Sequence, residues 1–518
     1  MFDRVTKLFG RNALFVLLIV FSLLITACQP VTTGAGGDAQ SAAAGNTDAS
    51  AKELVVLLPV DFQSFDPNTV SSQPNTNIYQ NVLETLVERD RTTPLLAESW
   101  EMKDEVTWQF HLRTGVTFTN GDPFNAEVVK FSIERIVRED NKNSAARGLF
   151  ADALQSVDVV DETTVNIVTK RPYPALLDIL IEAYMLPKAA DTPDFVAKGI
   201  GTGPYVLDAW TPGEHLVLVR NQSYWGDAPY FDKVTFRPVP DATVRTTELR
   251  SGGADIITQV PIEEIARVEE ADAQVVRILS VQSMRIHLNA GTQPFDDVRV
   301  RQAINYAIDR QTILETILEG AGQLMNSPSG PTILGYNADI EPYPYDPEKA
   351  KTLLAEAGYA DGVDIQLQIT DGRYVRDRAI GEAITAQLAE VGIRVDAKFS
   401  EFSQWLKVFN QEGNGFMVIS QEDSVITLMG PNFASTSQSF KRYGYANPAV
   451  DELIEKAAVT LDEEERRAIY AELNQVLHDD APWVFMWNPE DIYGAVNSLD
   501  GFAPNGVGYF YVKDLSRK

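Results

Sequence analysis

The sequence predicts an α/β protein of more than one domain, and three observations carry that prediction. A β-α-β unit can be read from residues 363–399. The run Leu54-Val55-Val56-Leu57-Leu58, closed by Pro59, has the continuous apolar pattern of a strand covered on both faces. The stretch after residue 51 is longer than one hydrophobic core usually serves, so two or three domains are expected.

At the N-terminus Arg4, Lys7 and Arg11 precede an apolar run from Ala13 to Phe21 that continues through Leu23, Leu24 and Ile25, the layout of an export signal. It ends at Ile25-Thr26-Ala27-Cys28, which resembles the bacterial lipobox, where small residues precede a cysteine that is lipidated. Cys28 is the single cysteine of the 518-residue chain, so an internal disulfide or a multi-cysteine metal site is excluded. The alternative is a transmembrane anchor with an incidental cysteine, but the run is short of the ~20 residues a spanning helix needs. Residues 28–51 are rich in Gly, Ser, Ala and Asn with little to bury, as in a flexible tether. The formal net charge of −29 argues against nucleic acid or an anionic membrane surface as partner, since both reward clustered Lys and Arg.

Trp108, Phe110 and Leu112 alternate with Gln109, His111 and Arg113 as in a half-buried strand, and strand signals recur at Thr163 to Thr169. Further along, helix boundaries are explicit. Asp346 caps a helix with Pro347 in its first turn, and Gly358 ends it. Val363, Ile365, Leu367 and Ile369 alternate as a strand, Ile380, Ile384 and Leu388 recur at helical spacing, and Ile393, Val395, Ala397 and Phe399 alternate again. Asn447-Pro448 and Asp462 open two more helices.

Catalytic signatures are absent: there is no Gly-Lys dipeptide, no His-Glu-x-x-His and no Gly-x-Ser-x-Gly. The histidines His111, His215, His287 and His478 are far apart in sequence, and no metal or cofactor is expected. Gly199-Ile200-Gly201-Thr202-Gly203 lacks the spacing of a dinucleotide loop and is read as a tight turn. Many carboxylates leave a surface hydrolase with an acid and base pair as a reading from a different class, without a nucleophile or metal constellation to support it.

Several stretches taken in order resemble the peptide/nickel/opine branch of the ABC-transporter extracellular solute-binding proteins, family 5. They include Ser64-Phe65-Asp66-Pro67, Pro94-Leu95-Leu96-Ala97-Glu98-Ser99-Trp100, Phe110-His111-Leu112-Arg113 and Asn120-Gly121-Asp122-Pro123-Phe124. Gly201-Thr202-Gly203-Pro204-Tyr205, Tyr224-Trp225, Pro294-Phe295-Asp296-Asp297-Val298-Arg299 with Gln302-Ala303-Ile304-Asn305-Tyr306-Ala307, and Tyr345-Asp346-Pro347 complete the set. The resemblance implies a periplasmic-binding-protein type II fold, with two α/β lobes joined by hinge strands and an inserted β-rich domain. The expected layout is a signal at 1–27, a tether at 28–51, a discontinuous first lobe at 52–75, 190–290 and 484–518, the insertion at 76–189 and a second lobe at 291–483. It implies a monomer, held to the membrane by lipid on Cys28, that delivers a small solute, with peptide leading over opine, sugar or metal complex, to an ABC permease.

The resemblance also points to ligand contacts. Ser71, Ser72 and Gln73 are expected to run extended beside the ligand backbone, or else to form a polar Ser/Asn/Pro loop. Trp487 is the leading aromatic contact and Trp405 a second, while Trp483 and Phe485 belong to the core. Ser420, Gln421, Glu422 and Asp423 occupy the stretch where relatives hold a peptide's α-ammonium. The Asp is kept as Asp423, whereas the Trp of the pattern is replaced by Ser420. The alternative makes Glu422 and Asp423 solvated loop acids.

Overall fold

The computed structural model describes residues 52–70, 72–141, 144–192, 195, 198–409, 415–421 and 424–518. Cys28, the signal and the tether lie outside the described residues, as do Ser71, Glu422 and Asp423.

In chain order the first strands are β1 (Glu53–Leu58), β2 (Ala97–Met102), β3 (Thr107–Leu112), β4 (Leu154–Val159) and β5 (Thr164–Thr169). They are succeeded by β6 (Tyr205–Thr211), β7 (His215–Arg220), β8 (Lys233–Pro238), β9 (Ile256–Ile257), β10 (Ala273–Leu279) and β11 (Gln282–His287). Then come β12 (Gly322–Leu324), β13 (Val363–Thr370), β14 (Ile393–Ser400), β15 (Gly415–Gln421) and the long β16 (Trp483–Val496).

The apolar run of β1 is sandwiched as its sequence demands, parallel to β8 on one side and to β9 on the other. The alternating β3 buries Trp108, Phe110 and Leu112 and leaves His111 exposed, in a four-stranded antiparallel sheet ordered β2-β3-β5-β4. This sheet is separate in its hydrogen bonding, yet Phe110 and Val165 belong to the same apolar core as Leu54, Val56 and Phe236.

The other large sheet has twelve strands among the described residues, with the path β14-β13-β15-β11-β16-β9-β1-β8-β7-β6 and with β10 and β12 also paired to β16. The predicted β-α-β unit is present: β13 and β14 are parallel and joined by the helix Asp377–Glu390, with Gly392 at φ +87° where the turn requires it. The side chains of Asp346, Asn447 and Asp462 accept the backbone N–H groups of Lys349, Ala449 and Glu465, which fixes the starts of three helices of the second half.

Strand β16 is shared. Its C-terminal part pairs with β10 from Leu279↔Glu490 to Ala273↔Val496, and its N-terminal part pairs with β11 from His287↔Trp483 to Met284↔Trp487. The sheet therefore passes from one half of the molecule to the other at two adjacent crossings, near Ser280 and near Asn488.

The Gly199 to Gly203 segment is a close approach of two backbones. A side chain at Gly201 would place its Cβ 1.8 Å from the Val82 carbonyl oxygen, and the Gly203 N–H donates to that same oxygen at 2.9 Å. The glycines serve packing there.

Candidate functional site

The crossings of β16 and β11 form the floor of a cavity of about 630 Å³. Its walls come from both halves: Pro59 after β1, Pro240 after β8 and Gln259 to Glu263 after β9 on one side, Arg373 to Arg376 after β13 and Ile419 of β15 on the other. Because β1, β8 and β9 are mutually parallel, and β13 is parallel to β15, each wall gathers around the carboxyl ends of parallel strands. This is where open α/β sheets collect their ligands, since connections diverge there and leave a crevice.

Each wall is held rigid by a buried charged side chain that satisfies backbone groups. On the first side Arg245, 2% exposed, donates to the carbonyls of Val239 at 2.7 Å, Pro240 and Gln259 at 3.0 Å and Thr258 at 3.1 Å. Burial pulls its pKa down, but its four carbonyl partners keep the loops after β8 and β9 together. On the second side Asp377 accepts the N–H groups of Gly372 and Arg373 at 3.0 Å and of Tyr374 at 3.1 Å, and the Thr370 hydroxyl at 2.8 Å. The Tyr374 hydroxyl in turn donates to the Ile419 carbonyl at 3.2 Å. Arg373 is thereby presented on the wall with its guanidinium over the rings of Phe402 and Tyr374, at 4.6 and 5.6 Å from their centroids. No carboxylate pairs with it among the described residues. Arg376 approaches Glu263 of the opposite wall at 3.6 Å.

The floor contributes Gln282, Met284, Trp487 and Asp491. Simple alternation would place Trp483, Phe485 and Trp487 on one face, but the ladder shifts between Met284 and Arg285, where Met486 is the extra residue of β16. Such a bulge moves the residues beyond it to the other face. Trp483 and Phe485 thus enter the core against Phe433 and Leu473, while Trp487 joins Met486 and Val484 in a different core cluster and lines the cavity.

The other expected contacts divide between core, helix and cavity edge. Trp405 is 2% exposed, stacks on Phe409 with centroids 4.6 Å apart and gives its indole N–H to the Gln368 carbonyl at 3.4 Å, and it does not line the cavity. Gln73 does not run extended. It opens the helix Gln73–Tyr79, with Ser72 as N-cap residue and Pro74 in the first turn. The Ser72 hydroxyl accepts from Asn75 Nδ2 at 2.7 Å, and Gln73 Nε2 donates to the Tyr493 hydroxyl at 3.3 Å and the Gly508 carbonyl at 3.2 Å. Tyr493 lies two residues beyond Asp491 on an unbulged part of β16, so Gln73 is tied to the same side of that strand as Asp491. Ser420 pairs with Ser283 between β15 and β11, beside the cavity-lining Ile419, and Gln421 ends β15.

Sequence reasoning missed Arg245, Arg373, Tyr374, Asp377 and Asp491. The signal available for the loop was its place: Asp371-Gly372-Arg373-Tyr374 comes directly after the first strand of the β-α-β unit, at the end where ligands collect.

A cavity between two α/β halves that share hinge strands defines a two-lobed binding protein, and comparison with known proteins agrees. The family model for bacterial extracellular solute-binding proteins, family 5 Middle, matches residues 91–446, and the chain belongs to that family. Its fold is the type II periplasmic-binding-protein fold. It is 28% identical to heme-binding protein A of Haemophilus influenzae, over 95% of this chain and 96% of that protein. It is also 28% identical to the glutathione-binding protein GsiB of Salmonella choleraesuis, over 88% of this chain and 92% of the relative. Among solved structures, the periplasmic binding protein DppA from Helicobacter pylori in complex with the peptide STSA is 27% identical. It superposes with a TM-score of 0.73 over 90% of this chain and 98% of that one.

Proposed function

We propose that the protein captures a peptide or peptide-like solute in the cavity over the β11 and β16 crossings and delivers it to an ABC importer, working as a monomer tethered outside the cytoplasm by lipid on Cys28. The observation that carries this is the cavity itself: both halves supply its walls, so hinge motion about the crossings encloses or releases a solute. Its lining is bipolar, with Arg373 unpaired by any described carboxylate on one wall and Asp491 on the floor. That charge pattern suits a zwitterion. Relatives named for heme, glutathione and a bound peptide support a small-solute role and widen the candidates.

In this proposal Trp487 gives the ligand an apolar surface, Ser420 and Gln421 flank it, and Asp423 with Glu422 remains the proposed partner of an α-ammonium. Ser72 and Gln73 act from the edge of the site, and Trp405 supports the second lobe from within its core. Opines, sugars and metal complexes are the alternative solutes.

Thermal-shift screening of the purified protein against pools of peptides, glutathione, heme, opines, sugars and nickel chelates tests the proposal, because a ligand that binds only the folded state raises its melting temperature. A peptide hit that is recovered unchanged supports capture. A hit confined to the other pools replaces peptide with that solute, and turnover of the hit brings the hydrolase reading forward. Mass spectrometry of the membrane-extracted protein tests lipid on Cys28.

A further inference from the structure

The floor of the cavity holds a carboxylate with no counter-ion among the described residues. Asp491 lies at the crossing of β16, and its Oδ2 accepts a hydrogen bond from the buried Ser280 hydroxyl at 3.2 Å. No Lys, Arg or His comes within ion-pair distance of it among the described residues. The neighbouring cations are each engaged elsewhere: Arg277 with Glu490 at 2.5 Å, Arg245 with four carbonyls, Arg376 with Glu263, and Arg373 over aromatic rings. Tyr493, the next residue on its side of the strand, is held by Gln73 and offers it no charge. Burial pushes the Asp491 carboxyl up to about 6, against a smaller pull downward from Ser280.

An ionised carboxylate partly withdrawn from water and left without a cation is unfavourable, and a hydroxyl donor offsets only part of that cost. An Asn would offer Ser280 an acceptor in the same place without it. What a carboxylate adds is attraction for a positive charge arriving from the cavity, where the low local dielectric strengthens the pair. We infer that Asp491 is an anionic subsite of the interlobe cavity that pairs with an ammonium or guanidinium group of the captured solute. The inference rests on the capture reading above and concerns a group distinct from Asp423. It makes Asp491 a specificity residue that favours cationic over isosteric neutral ligands.

Two ligand pairs test it by calorimetry near pH 7.5: Ala-Lys-Ala against Ala-norleucine-Ala, and 1,5-diaminopentane against 1,5-pentanediol. The wild-type protein is expected to prefer the cationic member of at least one pair by tenfold or more, and Asp491→Asn is expected to reduce that preference to about twofold or less. Asn keeps an acceptor for Ser280 and removes an uncompensated charge, so the variant folds; Asp491→Ser gives the same loss by a second route. If the diamine pair alone shows the effect while both tripeptides bind, the subsite stands and takes the α-ammonium that the two peptides share; if neither tripeptide binds, the subsite stands while peptide capture falls. If neither pair shows a preference, or if the preference survives in both variants, the inference is overturned.

Discussion

Trp225 Nε1 donates to Glu84 Oε2 at 2.9 Å, and the adjoining Tyr224 hydroxyl donates to Glu84 Oε1 at the same distance. A carboxylate 4% exposed thereby joins the segment carrying the small sheet to the edge of the large one, and the Tyr-Trp pair is explained as scaffold. Burial dominates and pushes the Glu84 carboxyl from 4.5 up to about 7, with the bonds from Trp225 and Tyr224 pulling the other way.

A carboxyl whose folded pKa is raised is disfavoured as an anion, so its contribution is most favourable below pH 4.5 and is lost as the pH rises through 7. This one group should remove roughly 3 kcal/mol of stability across that window. Glu84→Gln, which titrates nowhere in the window, should show a flatter dependence than wild type. Urea unfolding of both proteins at pH 5 and pH 8 checks this; parallel curves would refute it.

The same sign holds for Asp491, raised from 3.8 to about 6. Asp491→Asn should stabilise the unliganded protein at pH 8 by roughly 1–3 kcal/mol and give little change at pH 4. Affinity for a cationic ligand should run the opposite way in wild type, falling as the pH drops through about 6 because the carboxylate becomes neutral. Melting curves and ligand titrations across pH 4–8 separate the two effects.

The tryptophans divide by position. Trp487→Phe should remove most of the fluorescence change that a bound ligand causes, since Trp487 lines the cavity, and Trp487→Ala should additionally cost about 3–5 kcal/mol of stability. Trp405→Phe should leave affinity within about twofold, because its indole meets Phe409, Phe402 and the Gln368 carbonyl and not the cavity. A Trp405→Phe protein with tenfold weaker binding would return that residue to the site.

Gly201→Ala should be severely destabilising, by at least about 2 kcal/mol, because its Cβ meets the carbonyl of Val82 and neither backbone can retreat without breaking the Gly203 N–H bond to that oxygen. Gly213→Ala, where φ is +80° but nothing lies within 4 Å of the new Cβ, should cost less. Equal melting temperatures for the two variants would show that the close approach is unimportant.

What could be read from the sequence was whatever is encoded locally. Asp346, Asn447 and Asp462 announce their helices because a cap and the turn it begins are within four residues of each other. The continuous apolar run of β1 announces a strand covered on both sides. At Gln73 the local signal was present as well, in Ser72 before a first-turn Pro74, and it names a helix start where the expected ligand contact required extended chain. The bulge at Met486 was not legible, because it is defined only against β11, about two hundred residues away in the chain. Asp491 was equally silent: an acid on a strand acquires meaning only once its neighbours are known to include no base.

The sharing of β16 sets the mechanics of the molecule. Hydrogen bonds run without interruption from β14 through β16 to β6, so one half cannot slide or dissociate past the other without tearing a ladder. The accessible motion is flexure of a continuous ribbon, concentrated where β16 exchanges its partner β11 for β10. The cavity sits over that bending line, so in the proposed capture a solute gripped by both walls would act at the fulcrum, where a small displacement of the ligand converts into a large swing of the distal surfaces.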